Sequence, residues 1–85
     1  MPKFFINFRN ANKVLAKDDV GREFPGLDEA KAAALRSARE ILADTVKHPE
    51  ITPLEAVIVT SESGQKLATV HARDVLERTL LKSQA

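Results

Sequence analysis

Apolar and polar residues repeat with a helical period over one stretch of the chain, from Leu27 to Lys47. At 3.6 residues per turn, most of the leucine, alanine and isoleucine side chains in this stretch fall on one side of a helix, whereas Glu29, Arg36 and Glu40 fall on the other. Because such an apolar stripe is stable only against a second layer, the flanking segments are expected to supply a sheet. The pattern therefore predicts one long amphipathic helix packed on a sheet.

Two segments before the helix have the pattern of strands. Residues 3–9 alternate between two faces, with Phe5 and Asn7 on the face opposite the other phenylalanines. Residues 13–17 predict a short second strand whose terminal lysines suit the edge of a sheet, because charge there discourages pairing with other molecules. Residues 22–24 could extend briefly before the helix.

Two further strands and a short helix are predicted after the long helix. Residues 54–60 are apolar on both faces, which favours a central strand covered on each side. Residues 66–72 return as the fourth strand after a turn in which Gly64 supplies a positive φ. Residues 73–81 have the period of a short helix, which must dock on the rest of the molecule because it is too short to be stable alone in water.

The order of these elements predicts a single α+β domain over residues 1–85, with the two-layer order β-β-α-β-β-α. We expect a mostly antiparallel four-stranded sheet, one long helix on one face of it and a short C-terminal helix. The chain has neither an internal repeat nor a low-complexity linker that would divide it.

The long helix can cover only one face of the predicted sheet, so apolar side chains remain for the second face. Either Val57 and Val59 or Ala56 and Ile58 point to it, since both pairs are apolar. The C-terminal helix could fold back over this face, or a second copy of the chain could cover it. The predicted association surface consists of Phe5, Val57, Val59, Leu67, Val75, Leu76 and Leu80.

Charge and composition exclude some classes of function. Thirteen lysines and arginines stand against twelve aspartates and glutamates, so no strong field draws the chain to nucleic acid or membrane. The absence of cysteine rules out disulfides and thiolate metal sites. The apolar stretch at the start is too short for a signal peptide, and no later segment approaches a membrane span. We therefore expect a cytoplasmic protein that makes no membrane contact.

Candidate chemistry is sparse. His48 suits the C-terminus of the helix, where a cation complements the dipole, and His71 reads as a half-buried strand residue. The two histidines do not have metal-ligand spacing. Asp18 and Asp19 before Gly21 have the composition of a turn and lack the repeated oxygen ligands of a calcium loop. No catalytic residue, cofactor-binding residue or metal ligand is predicted.

A nucleic-acid surface is the second possibility. The basic side chains of the first predicted hairpin lie near Phe5, and exposed aromatic rings on sheets can stack bases. The chain has no tryptophan or tyrosine to strengthen this reading. The candidate residues are Lys3, Arg9, Lys13 and Lys17.

Several features in a fixed order carry a resemblance to a known family. They are an opening Met-Pro-Lys-Phe-Phe-x-x-x-Arg, an Asp-x-x-Gly-x-Glu turn at residues 18–23, the helical segment AAALRSAREIL, and a closing Glu-x-Gly-x-x-Leu-Ala-Thr-Val at residues 62–70. Together they resemble the bacterial domain of unknown function 6894, a family of small single-domain alphaproteobacterial proteins, over residues 1–76. Asn7 stands where a histidine is frequent in the family, and Gly26 where an aspartate is usual. The dipeptide His71-Ala72 replaces a common Pro-Phe. The resemblance implies a small bacterial domain without an established activity, cofactor or substrate.

Association is therefore the leading functional hypothesis. We expect a non-enzymatic module that binds itself, as a homodimer, or binds another protein. A nucleic-acid-binding or antitoxin-like regulator is the alternative, suggested by the two-layer shape alone. A small enzyme ranks third, because no acid, base and nucleophile can be assembled from the sequence.

Overall fold

An antiparallel sheet with one long helix on one of its faces forms the fold, as a computed structural model shows. This confirms the predicted α+β class. The structure describes residues 1–50 and 52–76. The elements are strands β1 (Lys3–Asn10), β2 (Leu15–Ala16) and β3 (Arg22–Glu23), helix α1 (Leu27–Lys47), strands β4 (Leu54–Ser61) and β5 (Lys66–His71), and helix α2, which begins at residue 72 and is described to residue 76.

Strand β1 lies next to three other strands. The sheet has the order β2-β1-β4-β5, and the short β3 pairs with the beginning of β1 on the same side as β2. All pairs are antiparallel. Strand β4 lies between β1 and β5, as its apolar faces predicted, and β5 is the outer strand. Within residues 1–50 and 52–76, the sheet thus has five strands rather than the predicted four, because the two-residue β3 joins it.

Strand β2 is shorter than the predicted strand over residues 13–17. Lys13 has a φ of 68°, in the left-handed region, which does not belong to a strand. The Asn10 side chain holds this turn, since its Oδ1 accepts the N–H of Asn12 at 3.0 Å and the N–H of Val14 at 3.1 Å. Only Leu15 and Ala16 are left to pair with β1.

Helix α1 approaches the sheet through small side chains. Ala30, Ala34 and Ala38 are fully buried in the core, on the side of the helix that faces β4. Because alanine has no side chain beyond Cβ, the helix axis can come close to the strands. The helix ends before His48 and Pro49, where proline disfavours helical backbone in the preceding residue.

The side of the sheet that carries Val57 and Val59 was predicted wrongly. In the register of β1 with β4, Ile6 lies beside Val59 and Phe8 beside Val57, so all four side chains are on the face that α1 covers. Val57 and Val59 are fully buried in the core and belong to no surface. Ala56 and Ile58 are the pair on the second face.

Other members of the predicted association surface also pack into the core. A register shift between β4 and β5 places Leu67 next to the core beside Ala68. Val75 is buried in the same core, because α2 begins on the side of the sheet that α1 covers. Leu76 is 45% exposed, and Leu80 lies outside the described residues.

Candidate association surface

The second face of the sheet is not the apolar patch that the sequence predicts. The centre of this face exposes little apolar surface, since the side chains of Ala56 and Ile58 are buried. Thr69 and His71, from β5, are exposed beside them. Phe5 is half-buried. In the described part of the chain, this face therefore offers a mixed polar surface.

Asn7 occupies the middle of this face and is fully hydrogen-bonded. Its Nδ2 donates to the carbonyl oxygen of Ile58 at 3.2 Å and to Oγ1 of Thr60 at 3.3 Å. Its Oδ1 accepts the N–H of Asp18 at 2.9 Å. Buried polar groups need such partners, so Asn7 has a structural role in this face of the sheet.

Asp18 forms a turn rather than a metal loop. Its Oδ1 accepts the N–H groups of Val20 and Gly21, and its Oδ2 accepts the N–H of Ile6. Burial raises the pKa of the Asp18 carboxyl, but these hydrogen bonds together with the charge of Arg22 outweigh burial and lower that pKa below its usual value. Among the described residues, no group of histidines and carboxylates could hold a metal ion.

The turn that Asp18 begins covers Phe5. Gly21 has a φ of 76°, and a Cβ at this position would lie 2.9 Å from Cε2 of Phe5 and from Cγ and Cδ of Lys3. The backbone at Gly21 thus lies directly against the Phe5 ring. The turn thus covers part of the Phe5 ring, and the residue is half-buried.

Two of the four predicted nucleic-acid residues are paired with an acid. Lys13 Nζ lies 2.6 Å from Glu55 Oε1, and Arg9 lies 3.4 Å from the same oxygen. The hydrogen bond from Lys13 lowers the pKa of the Glu55 carboxyl, so the carboxylate is charged at neutral pH. Lys3 and Lys17 are exposed, and Lys3 lies beside Gly21 in the turn that Asp18 begins. The four cations therefore do not form one unpaired basic groove.

The outer edge of β5 lies beside a groove. Strand β5 is the last strand of the sheet, and in residues 1–50 and 52–76 no strand pairs with its outer side. An open groove of about 380 Å³ runs between this edge and the first half of α1. Its lining residues come from α1, β5 and the start of α2: Asp28, Lys31, Ala32, Leu35, Thr69, Val70, His71, Asp74 and Val75.

The opposite edge of the sheet is closed. Strand β2 covers the end of β1, strand β3 covers its beginning, and Asp18 accepts the N–H of Ile6 between them. Native sheets commonly protect their edges with such short strands and turns. Strand β5 has no comparable cover in the described part, and Lys66 at its start is the only lysine or arginine in the strand.

A second groove lies on the other flank of α1. It is lined by Ile6, Phe8, Ala16 and Ser37, and a smaller hollow beside it reaches Val14 and Ile41. The two spaces measure about 420 and 190 Å³. Val14, which is 61% exposed, lines the smaller hollow, whereas the charged residues Lys17, Asp18 and Arg22 also line the groove. Within the described residues, the groove adjoins the covered edge of the sheet and no unpaired strand.

The sequence prediction missed the groove beside β5. Of the predicted association residues that the structure describes, Val75 lines this groove but is buried, and Leu76, next to it in the chain, is 45% exposed. Neither Asp28 nor Asp74 was considered for a site. The signal available was the position of residues 66–72 as the last predicted strand, with no proline and a single lysine. A terminal strand without such protection is a candidate for an open edge.

Comparison with known proteins identifies one family. The profile of the family described as Domain of unknown function (DUF6894) matches residues 3–73. No curated protein and no solved structure matches the chain. Within the described residues, no helix combines the length with the apolar content that crossing a membrane requires.

Proposed function

We propose that this chain, which belongs to the DUF6894 family, is a small protein-association module that binds an extended segment of a partner along strand β5. The open outer edge of β5 beside a groove is the observation that supports this function. We place the module in the bacterial cytoplasm, in keeping with a chain that contains no cysteine. We assign this module no catalytic step.

Backbone chemistry supports binding at this edge. On an outer strand, alternate N–H and C=O groups point away from the sheet and hydrogen-bond to water. An extended peptide replaces that water with main-chain hydrogen bonds, and its side chains enter the neighbouring groove. Helix α1 forms the second wall of the groove through Ala32 and Leu35. A strand added here would therefore contact both the sheet and the helix.

A blocked groove tests the proposal. Ala32 is an exposed residue of α1 that lines the groove, and Ala43 is an exposed alanine of the same helix that does not line it. Ala32→Trp should fill the space beside β5, whereas Ala43→Trp adds the same ring elsewhere. Equal melting temperatures of the two variants would show that neither change disturbs the core.

Binding should then be compared between the variants. We expect cross-linking in the native cell, followed by mass spectrometry, to place the partner at residues 66–71 of the unmodified chain and of Ala43→Trp. Ala32→Trp should lose those cross-links. Sedimentation velocity distinguishes a second copy of the chain from another protein. Cross-links that map to the face around Ala56, or that persist in Ala32→Trp, would contradict the proposal.

A further inference from the structure

The groove beside β5 has an acidic rim. Asp28, near the start of α1, and Asp74, in α2, line it together with Lys31. Two carboxylates and one ammonium group thus line this rim. All three of these side chains belong to exposed residues, so a bound segment can reach them. The rim therefore favours a partner with positive charge.

The floor of the groove is apolar. Leu35 and Val70 are half-buried, and Val75, which also lines the groove, is almost completely buried. An apolar side chain inserted here would remove these partly exposed surfaces from water, which is the main favourable term in such contacts. The floor and the acidic rim belong to one groove of about 380 Å³.

The geometry of an added strand relates these two features. In a strand, residues i and i+2 point to the same face and lie about 7 Å apart. A segment paired with β5 that places an apolar side chain over Leu35 and Val70 can direct the side chain two positions away toward the rim. Asp28 and Asp74 would then meet a lysine or arginine of the segment.

Resting on the proposed function, we infer that the partner of this groove is a basic extended peptide with an apolar residue two positions from a lysine or arginine. Asp28 and Asp74 act as the specificity-determining residues for its charge. A second copy of β5 is the competing occupant. It offers one lysine, Lys66, at the end of the strand, and so matches the acidic rim less well.

Selection from a library of random octapeptides tests this partner class. The full-length chain is used as bait, and enriched peptides are synthesised and measured by fluorescence anisotropy. We expect enriched peptides to have a net positive charge and the apolar-x-basic spacing. Their affinity should fall about fivefold in the double variant Asp28→Asn/Asp74→Asn, since exposed ion pairs are weak individually. Asp19→Asn/Asp44→Asn, which changes two exposed carboxylates outside the groove, should leave the affinity unchanged.

The outcomes separate this inference from the proposed function. Peptides that bind at β5 and are lost in Ala32→Trp, but show no excess of basic residues, would overturn the charge specificity and leave strand addition standing. Peptides that bind Ala32→Trp as well as the unmodified chain would overturn both. A library without any enriched peptide would also overturn the inference, and a dimer abolished by Ala32→Trp would then identify a second copy as the occupant.

Discussion

Asp18 takes the place of a strand partner for Ile6, whose backbone N–H donates to Asp18 Oδ2 at 3.2 Å. The same carboxylate accepts two further backbone N–H groups through Oδ1, so one side chain closes the gap between β2 and β3. This arrangement explains why the edge of β1 is closed although each of its covering strands is only two residues long.

Removal of the Asp18 carboxylate should therefore destabilise the fold. Asp18→Ala leaves the N–H groups of Ile6, Val20 and Gly21 without their acceptor. Hydrogen bonds to charged groups are worth about 1.5–3 kcal/mol each when buried, so we expect a loss of about 2–3 kcal/mol for this partly exposed set. Urea denaturation measures the change. Asp19→Ala, at the exposed neighbouring carboxylate, should stay within about 0.5 kcal/mol of the unmodified chain.

Stability should also depend on pH through Asp18. Its pKa is lower in the folded protein than the ordinary value of 3.8, so folding favours the ionised carboxylate. This contribution is present in full above about pH 4 and is lost as the pH falls below 3.8 through the folded pKa. Denaturation between pH 6 and pH 2 should therefore converge for the unmodified chain and Asp18→Asn as the pH falls. A constant difference at all pH values would show that the charge of Asp18 is not involved.

Glycine substitutions distinguish backbone strain from steric contact. Gly21 and Gly64 have φ values of 76° and 87°, so alanine at either position should cost about 1–2 kcal/mol for left-handed backbone. A Cβ at Gly64 meets nothing within 4 Å, but at Gly21 it meets Phe5 and Lys3. Gly21→Ala should thus cost about 1–3 kcal/mol more than Gly64→Ala. Equal melting temperatures would show that the turn does not rest on the Phe5 ring.

The close approach of α1 to the sheet can be tested in the same manner. Ala34 is fully buried against the strands, whereas Ala43 is exposed on the same helix. Ala34→Leu should overpack the core and lower the free energy of unfolding by about 1–3 kcal/mol. Ala43→Leu should have little effect because its side chain extends into solvent. The proposed packing would be contradicted by a stable Ala34→Leu variant.

The sequence predicted the structure correctly where the pattern of apolar and polar residues was compatible with a single element. The 3.6-residue period of α1 predicted both its ends correctly, and the apolar faces of β4 predicted a central strand. Because both faces of β4 are apolar, the sequence pattern did not determine which face of the sheet carries the Val57 side chain. The buried Asn7 of β1 could have decided it, since its polar side chain belongs to the face opposite α1.

The candidate site was beyond local sequence patterns for a different reason. A groove beside β5 exists only because β5 is an outer strand and α1 lies along it, which are facts of strand order and packing. Asp28 and Asp74 are far apart in the sequence and share a groove only in the folded chain. The alternation of apolar and polar residues along 66–72 indicates neither the position of β5 in the sheet nor the proximity of Asp28 and Asp74.

One edge of the sheet is covered and the other is open, and this difference limits how far an assembly of these chains can grow by strand addition. Fibres that grow by strand addition need an open sheet edge on both sides of every subunit, so that each added subunit presents another open edge. Here Asp18 and its flanking strands seal one side in the described chain. If a second copy docks on β5 through its own β5, both chains use their open edge and the growth of the sheet ends with that single addition, whereas a docked peptide still exposes an outer edge of its own.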